Sequence, residues 1–277
     1  MNTPPSIPPA TPTVTPVTAA PKNPWLGFVI DVLIATGVLI ASVFAGMAAW
    51  GFISAIKIGL RDPQVAADPN AMTRALGEPS AVVMMVIGSL GMALAALTVY
   101  FWRRRATPAE RRVSRAAAAK PRTWLEAIGL GIGLTASSML LMWVLQQFGH
   151  TANPTNVAML EAILAYSPAL LLLIAVVIAP LSEELLFRRG LFGRLWAAGK
   201  PGAGMVASSL LFAFAHEVPG TTDSPWAMTT ILLLFYAGMG MCLAWIYRRS
   251  GTLWAPIATH ATNNLIGCGL MIAGYGG

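Results

Sequence analysis

The chain has 277 residues, of which 56% are hydrophobic and 10% charged, with a formal net charge of +7 at pH 7. A soluble domain carries about 25% charged residues. The composition therefore excludes an ordinary soluble protein and indicates a membrane protein whose length is taken up by spans and short loops. The basic residues lie between apolar segments, which assigns them to loops facing anionic lipid and not to nucleic acid.

Residues 1–24 hold eight prolines and no basic stretch beyond Lys22. They read as a disordered Pro/Thr-rich tail, not a cleaved signal peptide. Residues 25–277 read as one transmembrane domain. A bilayer core of about 30 Å needs roughly 20 apolar residues per helix, and seven segments approach this, near 25–56, 80–102, 124–148, 168–187, 203–218, 227–247 and 252–273. The expected fold is an all-α, polytopic bundle of seven or eight transmembrane helices around a buried polar site. Loop 103–122 carries Arg103, Arg104, Arg105, Arg111, Arg112, Arg115, Lys120 and Arg122 against one acid, Glu110. This marks it as cytoplasmic and solvent-exposed, with the N-terminus inside and the C-terminus outside. The expected location is the cell inner (plasma) membrane, as a multi-pass protein. Cys242 and Cys268 fall in apolar stretches without CxxC spacing and read as small core residues.

Polar residues inside apolar spans are costly and mark functional sites by default. Three such spots stand out: Glu183-Glu184-x-x-x-Arg188, Phe212-x-x-x-His216 and His260-x-x-x-Asn264. Glu184 and Arg188 are four apart on one helix face and can pair. Glu183 points about 100° away and is left free to meet a partner. A span ending at Phe187 would leave Glu183 near the cytoplasmic surface, whereas His216 lies about 20 Å deep in the next helix at 1.5 Å per residue. The depths match only if the helix runs on through Arg188 to about residue 198, so one long helix near 168–198 is predicted, with Pro180 as a kink point. The competing reading makes 182–198 an amphipathic helix in the headgroup region, His216 a cap, and His260–Asn264 an inter-helix hydrogen-bonding pair.

Two chemistries fit the cluster. Glu183 with His216 could activate a water while His260 and Asn264 donate to a developing oxyanion. Alternatively, Glu183, His216 and His260 could hold Zn²⁺ with an open position for water. The H-E-x-x-H zinc helix is absent, since His216-Glu217 is followed by Val218-Pro219-Gly220.

The three motifs, in this order, resemble those of the CAAX protease and bacteriocin-processing (CPBP, or Abi) family of intramembrane endopeptidases. Gly251-Thr252-Leu253-Trp254-Ala255-Pro256 resembles the lead-in to the last motif, and the likeness covers about residues 168–270. It implies a helix bundle with a cavity open to the cytoplasm and hydrolysis of a peptide bond in a peptide or membrane-anchored protein. It also implies water activation by Glu183 and His216, oxyanion stabilisation by His260 and Asn264, and supporting roles for Glu184, Arg188 and Phe212. The family has been described both as metalloproteases and as glutamate-type proteases, so zinc or no metal both remain open. A non-catalytic membrane binding or bacteriocin-immunity protein is the alternative. A proton-coupled transporter is disfavoured by the lack of an inverted repeat.

Overall fold

The computed structural model describes residues 23–150, 154–220 and 225–275. Nearly all of the expected Pro-rich tail lies outside these residues. Among them the fold is entirely helical. Helix α1 (Pro24–Arg61) begins at Asn23, whose Oδ1 accepts the Leu26 N–H at 3.0 Å, with Pro24 pre-set for the first turn. Two short helices, α2 (Pro63–Ala67) and α3 (Pro69–Leu76), lead to α4 (Ala81–Arg103), which packs along α1.

Next come α5 (Pro108–Ala118), α6 (Pro121–Gln147), the ten-residue α7 (Val157–Tyr166) and a composite helix α8 (Pro168–Ala197). Helices α9 (Pro201–His216), α10 (Trp226–Ser250) and α11 (Trp254–Ile272) complete the bundle. Helix α9 packs on α10, and α11 on α6, around α8. Gly251, at φ 73°, ends α10 in the left-handed conformation that a side chain would disfavour, and turns the chain into α11.

Among the described residues five helices, α1, α4, α6, α8 and α10, are long and apolar enough to cross a membrane. Helix α9 is apolar but has only 16 residues. The chain is a multi-pass membrane protein. Its outer faces are studded with exposed Leu, Ile, Phe and Trp, as lipid-facing helices require.

The core lies where α8 meets its neighbours. Phe187, Leu191 and Leu195 of α8 pack with Phe28, Leu134, Phe212, Met239 and Leu243. Residues 186–195 are all buried, so the amphipathic headgroup reading of 182–198 fails. A helix with one wet face would leave part of this stretch exposed. The predicted long helix is present, and it continues to Ala197.

The basic loop 103–122 needs correction. It holds α5, which starts at a Thr107-Pro108-x-Glu110 capping box. The Thr107 hydroxyl accepts the Glu110 N–H while the Glu110 carboxylate accepts the Thr107 N–H. The segment is also not wholly exposed. Arg104 is buried at 7% exposure, and Glu110 leaves the surface to receive both Arg189 guanidinium nitrogens at 2.9 and 3.0 Å. Arg194, near the end of α8, is likewise buried. It shares the fully buried Asp31 of α1 with Arg103. Arg103 and Arg194 are drawn inward by one cause. Asp31, distant in the chain, gives these two arginines a partner that loop composition does not disclose.

Candidate active site

Helix α8 positions the site through a local irregularity. Leu173–Ile178 is π-helical, with the Ala179 N–H reaching the Ile174 carbonyl five residues back. In that register the carbonyl of Ala175 would await the N–H of residue 180, but residue 180 is proline and has none. The vacant acceptor is taken from another helix: Asn264 Nδ2 donates to the Ala175 carbonyl at 2.8 Å. A second π-helical stretch, Leu185–Phe192, follows the glutamates and turns Arg188 and Arg189 into the protein.

Glu184 and Arg188 are 0% and 1% exposed, with Arg188 Nε 3.1 Å from Glu184 Oε2. These two atoms are also buried without an aligned hydrogen bond, so the contact is Coulombic rather than a directed bond. Arg188 Nη2 donates to the Gly240 carbonyl at 3.3 Å, and its guanidinium lies 4.4 Å from the Phe212 ring centroid. Gly240 also permits the close approach of α9 to α10, because a Cβ there would stand 2.9 Å from the Ser209 Cβ.

Glu183 Oε2 stands 3.4 Å from His216 Nε2. The other ring nitrogen, Nδ1, is 2.8 Å from the Phe212 carbonyl. A carbonyl only accepts, so Nδ1 carries a proton, and a neutral His216 then has its lone pair on Nε2. Two acceptors therefore face each other, and Glu183 Oε2 is indeed buried without a hydrogen-bond partner. The pair needs a proton between them or a donor such as a water molecule. The capping role expected of a lone histidine is also present, and it is what fixes the tautomer.

His260 is built on the same plan. Its Nδ1 lies 3.0 Å from Glu184 Oε1, so Nδ1–H donates to the carboxylate and Nε2 is the free nitrogen. Phe212 is the wedge between these groups. Its ring is 4.1 Å from the His216 ring and 6.0 Å, edge-on, from that of His260. Ligand atoms of Glu183, His216 and His260 lie within 4.8 Å of one another. Asn264, one turn beyond His260, has one amide proton committed to Ala175. Its Oδ1 accepts from Asn263, which is held in turn by Thr135 at 3.2 Å.

The three converging residues are chemically suited to zinc. Both histidines give their Nδ1 proton to an oxygen acceptor, the outer arrangement typical of zinc-bound imidazoles. Tetrahedral ligands at about 2.1 Å stand about 3.4 Å apart, which the Glu183–His216 pair meets.

Several neighbours were missed by sequence reasoning. Tyr236 lies 5.1 Å from the His216 ring, and nothing in its apolar surroundings marked it. Glu217 is fully buried and accepts from both the backbone and the hydroxyl of Thr155, at 3.1 and 2.8 Å. Its position next to His216 was a usable signal. The Glu184–His260 bond was also unforeseen, because motif spacing within one helix says nothing about partners on another.

Comparison with known proteins singles out the same part of the chain. Residues 165–266 match the family model described as type II CAAX prenyl endopeptidase Rce1-like. Over 95 residues the chain is 28% identical to a protein of Bacillus subtilis (strain 168) named "Putative membrane peptidase YdiL". The match spans 34% of this chain and 34% of that relative. No solved structure matches the chain significantly. The segment that carries Glu183, Glu184, Arg188, Phe212, His216, His260 and Asn264 is thus similar to the Rce1-like CAAX endopeptidases.

Proposed function

We propose that this chain is an intramembrane endopeptidase of the CAAX-protease type, hydrolysing a peptide bond in a membrane-associated protein or peptide. The observation that carries the reading is the facing pair of acceptors, Glu183 Oε2 and His216 Nε2, 3.4 Å apart in a buried site. A water molecule satisfies both by donating one proton to each, which turns its oxygen lone pairs toward a substrate carbonyl. Glu183 takes a proton as the water oxygen bonds to the carbonyl carbon. The tetrahedral oxyanion is met by His260 and by the second amide proton of Asn264. To donate there, His260 must carry a proton on both nitrogens, and Glu184 is placed to hold that imidazolium. As the C–N bond breaks, the proton on Glu183 passes to the departing amine. Glu184, Arg188 and Phe212 keep the two imidazoles in place.

If zinc is bound, Glu183, His216 and His260 would hold it, and it would supply Lewis-acid activation of a bound water. The substrate reaches the site from the cytoplasmic side of the plasma membrane, with the N-terminus of the chain also cytoplasmic. The test is cleavage of membrane-anchored substrates by purified protein in proteoliposomes, with metal content measured on the same sample. Glu183→Gln should abolish cleavage, and undiminished activity in that variant would overturn the mechanism. A binding or immunity protein would keep its biological role in Glu183→Gln and show no cleavage in the wild type.

A further inference from the structure

A cavity of about 600 Å³ lies beside the polar cluster but is separate from it. Its walls are apolar, with Leu97, Leu181, Leu185, Trp196, Leu253 and Ile257 among them. None of Glu183, His216, His260 or Asn264 lines it, so an occupant is not held for hydrolysis. Helix α5 closes one side and is pinned across the cavity by Ser114, whose hydroxyl is 2.8 Å from that of Thr252.

The charge around this apolar space is one-sided. Arg111 and Arg115, four apart on α5 and both exposed, line the cavity together with the Arg189–Glu110 pair. Arg104 lies behind Gly193, another lining residue, with Nη2 3.6 Å from where a Cβ on Gly193 would sit. Arg104 is buried, and its Nε and Nη2 have no partner. Its pKa is pushed down to about 10, by burial first and then by repulsion from Arg189 and Arg194. Three guanidinium groups thus line an apolar chamber with one carboxylate, and a fourth, that of Arg104, lies behind the wall.

Exposed tryptophans at the surrounding helix ends suit a chamber at the membrane surface. Trp102, Trp124 and Trp254, at the helix ends flanking α5, are all exposed, as interfacial aromatics are. Its volume is within the range of sites that hold a small amphiphile. Basic pockets between membrane helices at such a level suit anionic lipid headgroups.

We infer that this cavity is a binding site for an anionic phospholipid, with an acyl chain among Leu97, Leu181, Leu185 and Ile257 and its phosphate at Arg111 and Arg115. An apolar chain alone would not require the arginines, and a free phosphate would not require the apolar walls. Only a molecule with both parts satisfies both. The lipid would brace α5 against α8 and α11.

The test uses the full chain, purified in detergent and exchanged with mixed micelles of phosphatidylglycerol and phosphatidylcholine of identical chains. Retained lipid is read by native mass spectrometry. The wild type should retain one phosphatidylglycerol in clear preference to phosphatidylcholine. R111Q/R115Q should lower that preference by about thirtyfold, on the order of fivefold per arginine. R112Q removes an exposed charge on α5 that does not line the cavity and should leave the preference unchanged. Ala109→Trp, at a lining position, should exclude lipid of either class. Equal retention of the two lipids overturns the inference, as does unaltered preference in R111Q/R115Q or retention of inorganic phosphate without lipid. If R111Q/R115Q does not fold, Ala109→Trp decides, since full lipid retention there places the lipid elsewhere.

Discussion

Removing the Glu184 charge should destabilise the bundle more than any comparable surface change. Glu184 is 0% exposed, faces Arg188 at 3.1 Å and accepts the His260 Nδ1 proton at 3.0 Å. In Glu184→Gln the guanidinium of Arg188 loses its nearest charge and keeps the Gly240 carbonyl at 3.3 Å, the face of Phe212 and the attraction of the Glu183 carboxylate. Breaking a buried pair by removing one partner costs about 3–5 kcal/mol, because the survivor is an uncompensated buried charge. For chains of this size each kcal/mol moves the melting temperature by about 2–4 °C, so the drop should be about 6–20 °C. Arg188→Met should cost a similar amount by stranding Glu184. The double variant should lose less than the two together, with a coupling of about 1–3 kcal/mol. Thermal unfolding of the four proteins in one detergent makes the cycle. Additive losses, or single losses below about 2 °C, would refute the view that the pair is a mutually dependent buried unit.

Other outcomes follow from the same structure. Asn264→Ala should destabilise the protein by about 1–3 kcal/mol by orphaning the Ala175 carbonyl. Pro180→Ala, which restores the missing N–H, should make Asn264→Ala milder; equal losses in both backgrounds would contradict the assigned partnership. Gly240→Leu should lower stability and activity, because the Ser209 backbone leaves no space for a side chain; a wild-type melting temperature would argue against the close packing of α9 on α10. The Glu110 carboxyl is raised by burial, but hydrogen bonds from Arg189 and Thr107 outweigh this and hold it below its ordinary value of 4.5. A lowered carboxyl pKa contributes stability above 4.5 that is lost as the pH falls below it. Amide protection over 108–118, corrected for the intrinsic exchange rate at each pH, should therefore fall on acidification below pH 4.5 in the wild type and show no such step in Glu110→Gln.

Much of this arrangement was legible because membrane burial makes polar residues conspicuous. Glu183, Glu184, Arg188, His216, His260 and Asn264 each interrupt an apolar run, and a depth argument at 1.5 Å per residue required α8 to continue past Arg188. That continuation occurs, and Glu183 meets His216. Pairings between helices were not legible. Asp31 was visible as the lone acid of α1, yet nothing in its neighbourhood named Arg103 and Arg194, which are 72 and 163 residues away. Pro180 was expected to kink α8. At that point α8 has a widened turn and a carbonyl, that of Ala175, satisfied by a donor from α11, which depends on the backbone register and not on composition. The basic loop misled in part, because net charge counts arginines but does not show which of them an acid has drawn inward.

The central claim is that water, activated between Glu183 and His216, cleaves a peptide bond within the membrane. The most direct measurement is proteolysis in proteoliposomes prepared in ¹⁸O-labelled water, with membrane-anchored peptides as substrates and new C-termini read by mass spectrometry at early times. The account predicts one ¹⁸O in each new carboxyl group with wild-type protein, and a loss of product of at least about a hundredfold in Glu183→Gln. Labelled product formed at the wild-type rate by the folded Glu183→Gln protein would contradict it.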